Sequence, residues 1–302
     1  MQIIECIPNF SEGQNAATLD FLQEAAANIP GAALLDVHID GDHNRSVFTL
    51  AGSPAAVAEA AFTLAKTAVR RIDLTKHSGQ HPRMGAVDVI PFVPIKNADM
   101  SDCICLAEQV GERIAKELAL PVFLYEEAAK VPERKNLANI RRGGFKKMTQ
   151  PDWKPDFGEP TPHPTAGVVA VGARKPLIAF NINLDTSNVE IAKAVAKAVR
   201  GSNGGLKNCK ALGMFLQSRG IAQVSMNLVD YEQTPIYQVF EMVKAESARY
   251  GAKITGSELV GLAPAKALYD CADYFLQLEN FNADRHVLDC LIGERFTHSH
   301  HF

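Results

Sequence analysis

The chain has 302 residues, with 31 Lys plus Arg against 34 Asp plus Glu, a formal net charge of −3. Hydrophobic residues make up 47% and charged residues 22%, which suits packed globular cores and excludes a disordered or fibrous chain. The slightly acidic balance disfavours general nucleic-acid binding, so an anionic ligand must be met by a local positive cluster. The six cysteines, Cys6, Cys103, Cys105, Cys209, Cys271 and Cys290, show no C-x-x-C spacing and read as free thiols of a reducing cytosol. The start, MQIIECIPNF, has no basic region followed by an apolar run, and no segment has the length to span a bilayer. A soluble, cytoplasmic protein is expected.

In chain order, Gln2–Pro8 reads as a short strand, followed by the polar break Asn9–Gly13. Ala16–Ala27 carries Leu19, Phe21, Leu22 and Ala25 at helical spacing, closed by Pro30-Gly31. Ala33–Ile39 and Ser46–Leu50 read as a hairpin around the turn-rich Asp40–Asn44. Pro54–Ile72 is a long alanine-rich helix. Val87–Ile95 is a strand whose two prolines suit an edge or a strand end. A helix over Asp102–Leu118 and a strand at Val122–Tyr125 follow. The order is β-α-β-β-α-β with an appended α-β, the split βαβ or ferredoxin-like arrangement.

Leu177–Leu184, Val189–Val199, Ala211–Leu216, Ala222–Leu228, Ile236–Tyr250 and Ile254–Val260 repeat that order, with helices over Ala263–Leu276 and Arg285–Ile292. The expected class is therefore α/β (α+β): two ferredoxin-like subdomains of related topology, 1–165 and 166–302. Between the repeats, Lys146–Pro164 holds five prolines and Trp153, the single tryptophan. It cannot be regular helix or a central strand, and it reads as a stiff linker, as the wall of a ligand cleft between the halves, or both.

The densest polar stretch is KHSGQHPRMG at Lys76–Gly85. Gly79 and Pro82 argue against a helix, so His77 and His81 lack the face-sharing geometry of a metal pair, and no metal is expected. Histidine takes and gives protons near neutral pH. Arg83 can clamp a carboxylate with two parallel hydrogen bonds. A satisfied surface loop is the plainer alternative. The hairpin puts Asp36 and His38 on one strand face if alternation holds. The basic run Arg141, Arg142, Lys146 and Lys147 reads as a solvated face or as a contact for a polyanion. Gly201–Lys207 lacks the P-loop spacing, and no G-x-G-x-x-G or G-x-S-x-G occurs. The tail histidines His298, His300 and His301 read as a frayed end.

The stretches ECIPNFSEG (5–13), LLDV (34–37), NR (44–45), IDLTKHSGQHPRMGAVDVIPF (72–92), GARKPLIAFNINL (172–184), IAQVSMNLVDYE (221–232) and GSELVGL (256–262) resemble the glutamate formiminotransferase family. In animals that domain is the first part of a bifunctional formiminotransferase-cyclodeaminase, and no cyclodeaminase part is expected here. The resemblance implies two α/β subdomains and transfer of a formimino group from N-formimino-L-glutamate to N5 of tetrahydrofolate. The products would be 5-formiminotetrahydrofolate and L-glutamate, in histidine breakdown.

Tetrahydrofolate would be a co-substrate, with no metal, nucleic acid or membrane partner, and a homodimer is implied. The family's catalytic histidine precedes PRMG and maps to His81. Substrate binding is expected at Arg83, Asp36, His38, Asn44 and Arg45. The family's folate stretch maps to Gly158, Glu159, Pro160, Thr161, Pro162, His163, Pro164, Thr165, Ala166 and Gly167. Animal members carry a carboxylate where this chain has His38; Asp36, Asp40 and Asp42 are the candidates for a carboxylate partner of His81. The alternatives are a non-catalytic folate-binding protein, a formyl-type one-carbon enzyme of the same fold, and a metal-dependent hydrolase.

Overall fold

The computed structural model describes residues 1–41, 44–77, 83–142 and 154–296. The chain divides into two compact units, Met1–Lys175 and Pro176–Phe302. The sequence reading divides the chain at 165/166; the first compact unit runs ten residues further. Val169–Ala173 (β7) pairs in parallel with both Val87–Lys96 (β5) and Val122–Glu126 (β6), so it belongs to the first sheet.

The first unit opens with Ile3–Cys6 (β1) and Asn9–Phe10 (β2), two pieces of one interrupted strand lying between Arg45–Gly52 (β4) and β5. The predicted polar break thus begins inside the sheet, because Asn9 and Phe10 pair with strands on both sides. Ala32–Asp40 (β3) pairs with β4 at the edge. The order β3, β4, β1/β2, β5 with antiparallel neighbours is the split βαβ order, extended by β7 and then β6.

Strand β5 is internal, which corrects the edge expectation for Val87–Ile95. Pro91 is accommodated because Ile7 donates its N–H to the Pro91 carbonyl at 3.1 Å where the neighbouring strand is broken. Pro94 lies past the last pairing with β7, at Phe92–Ala173. The missing N–H groups therefore break no ladder bond.

Ala16–Ala27 (α1), Pro54–Arg71 (α2) and Met100–Leu118 (α3) cover one face of this sheet. Their core includes Leu22, Val57, Leu64 and Ile114 against Ile4, Phe48, Ile90 and Val171. Alternate residues of the same strands, Val89, Phe123, Tyr125 and Ala170, form a second cluster on the other face. Ile140 and Leu137 of the short helix Leu137–Arg141 (α4) pack on that cluster.

The second unit is Ile178–Leu184 (β8), Val189–Val199 (α5), Cys209–Leu216 (β9), Ile221–Leu228 (β10), Ile236–Ala248 (α6) and Ile254–Val260 (β11). Its sheet order, β11-β8-β10-β9, is antiparallel throughout and is again the split βαβ order. Ala265–Leu276 (α7), Ala283–His286 (α8) and Leu288–Phe296 (α9) follow. Its core joins Ile182, Val195, Val224 and Val239. On the opposite face, Gln223 donates to the Asn183 side-chain oxygen at 2.9 Å, a buried amide pair that sequence reading did not single out. Among the described residues no helix is long and apolar enough to cross a membrane.

Candidate active site

His81, Asp42, His43 and Trp153 fall outside the described residues, so the site is built from what flanks them. Before the segment 78–82, Asp73 accepts from the Thr75 N–H at 3.0 Å and hydroxyl at 2.7 Å, closing a turn. After it, the Met84 N–H donates to Asp88 Oδ1 at 2.8 Å. The Arg83 guanidinium lies 3.3 Å from His77 Nε2 and links the two flanks. A guanidinium only donates, so Nε2 accepts and the His77 proton sits on Nδ1. That Nδ1 is buried without a hydrogen-bond partner among the described residues. A guanidinium at Nε2 also opposes a metal cation there, which works against the His77–His81 metal reading.

The segment matched to folate binding is hydrogen-bonded to both flanks of residues 78–82. Leu74 N–H donates to Thr165 O at 2.8 Å, Ala86 N–H to Ala166 O at 2.9 Å, and Val168 N–H to Met84 O at 2.9 Å. Gly85 bridges Gly167, and Ser11 donates its hydroxyl to Gly85 O at 2.7 Å. His163 closes a turn onto Gly167 through backbone bonds in both directions, while its Nδ1 accepts from the Ala166 N–H at 3.1 Å. One face of that imidazole's hydrogen-bonding capacity is thus used internally. Gly158 has φ +90, and Gly158–Pro162 precede the turn without regular structure.

The hairpin brings its polar residues to the face that α4 covers in part. A β-bulge between Leu34 and Asp36 inserts Leu35. Beyond it, Asp36, His38 and Asp40 pair with Thr49, Val47 and Arg45. These alternate with Val37 and Phe48, which pack on the helix side. Asp36 and His38 share a face, as alternation requires. Asn44 is buried at φ 50, and its amide oxygen accepts the Gly13 N–H at 2.8 Å. A side chain at position 13 would meet Asp40 O at 2.4 Å. Asn44 therefore ties the hairpin end to the ECIPNFSEG segment.

Asp88 is the residue that sequence reasoning missed. It is the extra residue of a bulge in β5, between Val87 opposite Phe10 and Val89 opposite Asn9, and a bulge re-aims a side chain. It is 4% exposed. One oxygen takes the Met84 N–H; the other takes Arg141 Nη2 at 2.5 Å. The signal was a lone carboxylate in the apolar run VDVIPF, since a buried polar group is the informative kind. Burial lowers the Arg45 pKa, the neighbouring Arg141 lowers it further, and Asp40 and Asp88 oppose both. Burial also lowers the Arg83 pKa, with Asp88 opposing. Asp88 thus holds the Arg141 guanidinium directly, and its charge is also felt by Arg45 and Arg83. Such a site suits an acyl-like group transfer on an anionic substrate.

Residues 3–174 match the formiminotransferase domain, N-terminal subdomain, and residues 179–289 match the formiminotransferase domain. The chain is 55% identical over 95% of its length to the glutamate formimidoyltransferase of Streptococcus pyogenes serotype M1, covering 98% of that protein. It is 45% identical to the glutamate formimidoyltransferase of Thermoplasma acidophilum, over 93% of this chain and 95% of that one. It is 42% identical over 92% of its length to the formimidoyltransferase-cyclodeaminase of Rattus norvegicus, of which it spans 53%. The chain belongs to the formiminotransferase domain family.

Proposed function

We infer that the chain transfers the formimino group of N-formimino-L-glutamate to N5 of tetrahydrofolate, releasing L-glutamate and 5-formiminotetrahydrofolate. The observation that carries this reading is the 55% identity, across nearly the whole of both chains, to a glutamate formimidoyltransferase. N5 attacks the formimino carbon and forms a tetrahedral intermediate. The bond from that carbon to the glutamate nitrogen then breaks. The proton lost by N5 must reach the departing nitrogen, and His81 carries it as base and then acid, a contribution of roughly 10²–10⁴-fold. Arg83 and Arg45 meet substrate carboxylates, with Asp36 and His38 on the adjoining strand face. Gly158–Gly167 line the folate. Tetrahydrofolate is a co-substrate, and the chemistry needs no metal. A cytoplasmic homodimer completes the reading; sedimentation at assay concentration tests the dimer.

The test follows 5-formiminotetrahydrofolate by acid conversion to the methenyl form, without added metal. His81→Asn is expected to fold and to bind folate while losing about two or more decades of kcat. His77→Asn is expected to lose much less, because an imidazole held as acceptor beside a guanidinium is a poor proton carrier. A dead His77→Asn beside an active His81→Asn overturns the assignment of the histidine. Wild-type protein that binds folate without turnover overturns the reaction.

A further inference from the structure

We propose that Arg141, held in place by Asp88, is a further binding residue for a carboxylate of the donor substrate. The proposal rests on the reaction inferred above and adds a residue to its site. Arg141 ends a helix of five residues whose Ile140 is buried against Val89, Phe123 and Tyr125 on the sheet face that carries Arg45. Its Nη2 is 2.5 Å from Asp88 Oδ2, and its Nε is buried with no hydrogen-bond partner among the described residues. Asp88 in turn holds the Met84 N–H at 2.8 Å, one residue beyond Arg83.

Arg141 is therefore held by one buried carboxylate while Arg45 adds positive charge beside it. A held guanidinium whose buried Nε has no hydrogen-bond partner among the described residues, beside a second guanidinium, suits an entering anion. The donor fits the position. Its α-carboxylate sits on the carbon that bears the reacting nitrogen. The carboxylates of tetrahydrofolate lie beyond the aminobenzoyl group, far from N5.

The experiment measures KM for both substrates in Arg141→Met, Arg141→Lys and the double variant Asp88→Asn/Arg141→Gln, with thermal midpoints alongside. The double variant leaves no unpaired buried charge if Arg141→Met alone fails to fold. The expected result is a rise of roughly 10- to 100-fold in KM for formiminoglutamate, exceeding any fall in kcat, with partial recovery in Arg141→Lys. KM for tetrahydrofolate should stay within about twofold of wild type. An unchanged formiminoglutamate KM in a folded variant overturns the proposal. So does a rise in both KM values in step, or in the tetrahydrofolate KM alone. Should wild type show no turnover, the reaction itself is wrong. Calorimetric binding of formiminoglutamate to wild type and Arg141→Met then tests the anchor separately; equal affinities overturn it.

Discussion

Two glycines show how closely the candidate folate segment is seated on Met84–Gly85, the flank that follows His81 in the chain. A Cβ at Gly85 would stand 1.9 Å from Val168 O, and one at Gly167 would stand 2.2 Å from Met84 O. Gly167 also has φ +71, where an L residue is strained. Both clashes are with backbone, which cannot swing aside. Gly85→Ala and Gly167→Ala should each destabilise the fold by more than about 1 kcal/mol, a fall of some 2–4 °C or more in thermal midpoint. Activity should fall beyond what stability explains if, as proposed, the contact joins the folate segment to the segment of His81. A stable, fully active Gly85→Ala would show that the contact is not needed. The match to the family motif placed both segments; the backbone contact between them was not legible, because 74 to 86 and 165 to 168 are brought together only by parallel pairing of β5 with β7.

Helix α3 is fixed at its start by a reciprocal cap. Asp99 accepts the Asp102 N–H at 3.0 Å, and Asp102 accepts the Asp99 N–H at 3.0 Å. Asp99→Ala should cost about 1 kcal/mol, read as a lower denaturation midpoint with activity intact at low temperature. A neutral substitution would mean that packing of Cys103, Leu106 and Val110 alone fixes the helix end. The helices were legible because their apolar period and caps are local. Pro94 falls near the strand end as read, whereas Pro91 misled toward an edge, because whether a strand is an edge depends on what lies beside it. Here an interrupted β1/β2 lets a central strand carry Pro91. The bulges at Leu35 and Asp88 were equally invisible, since a bulge is a property of a pair of strands and not of one.

At the scale of the molecule, each unit buries its own core, and both cores contain thiols or phenols that must ionise on unfolding at high pH. Burial pushes Cys103 and Cys209 up to about 12 and Tyr125 up to about 12, the tyrosine against a partly offsetting Arg174. Below the ordinary thiol range both states hold the proton, and stability does not depend on it. Above that range the unfolded chain loses protons that the folded chain keeps. Stability must therefore fall as pH rises from about 9 toward 12. Denaturant midpoints measured across that window should decline, and Cys103→Ala should flatten the decline. A midpoint independent of pH would contradict the burial of these groups.

The sequence alone determined the two βαββαβ repeats, because helical and strand periods and turn residues are written in neighbouring positions. It also determined the family, because long motifs around PRMG and FNINL are specific. The tertiary structure decided which strands are neighbours, carried the first compact unit past β7 to Lys175, and set Arg141 on Asp88, whose charge Arg45 and Arg83 also feel. Several of those outcomes rest on contacts far apart in the chain, such as Val89 with Ala170 and Asp88 with Arg141, and a bulge or a parallel pairing leaves no periodic trace in the chain.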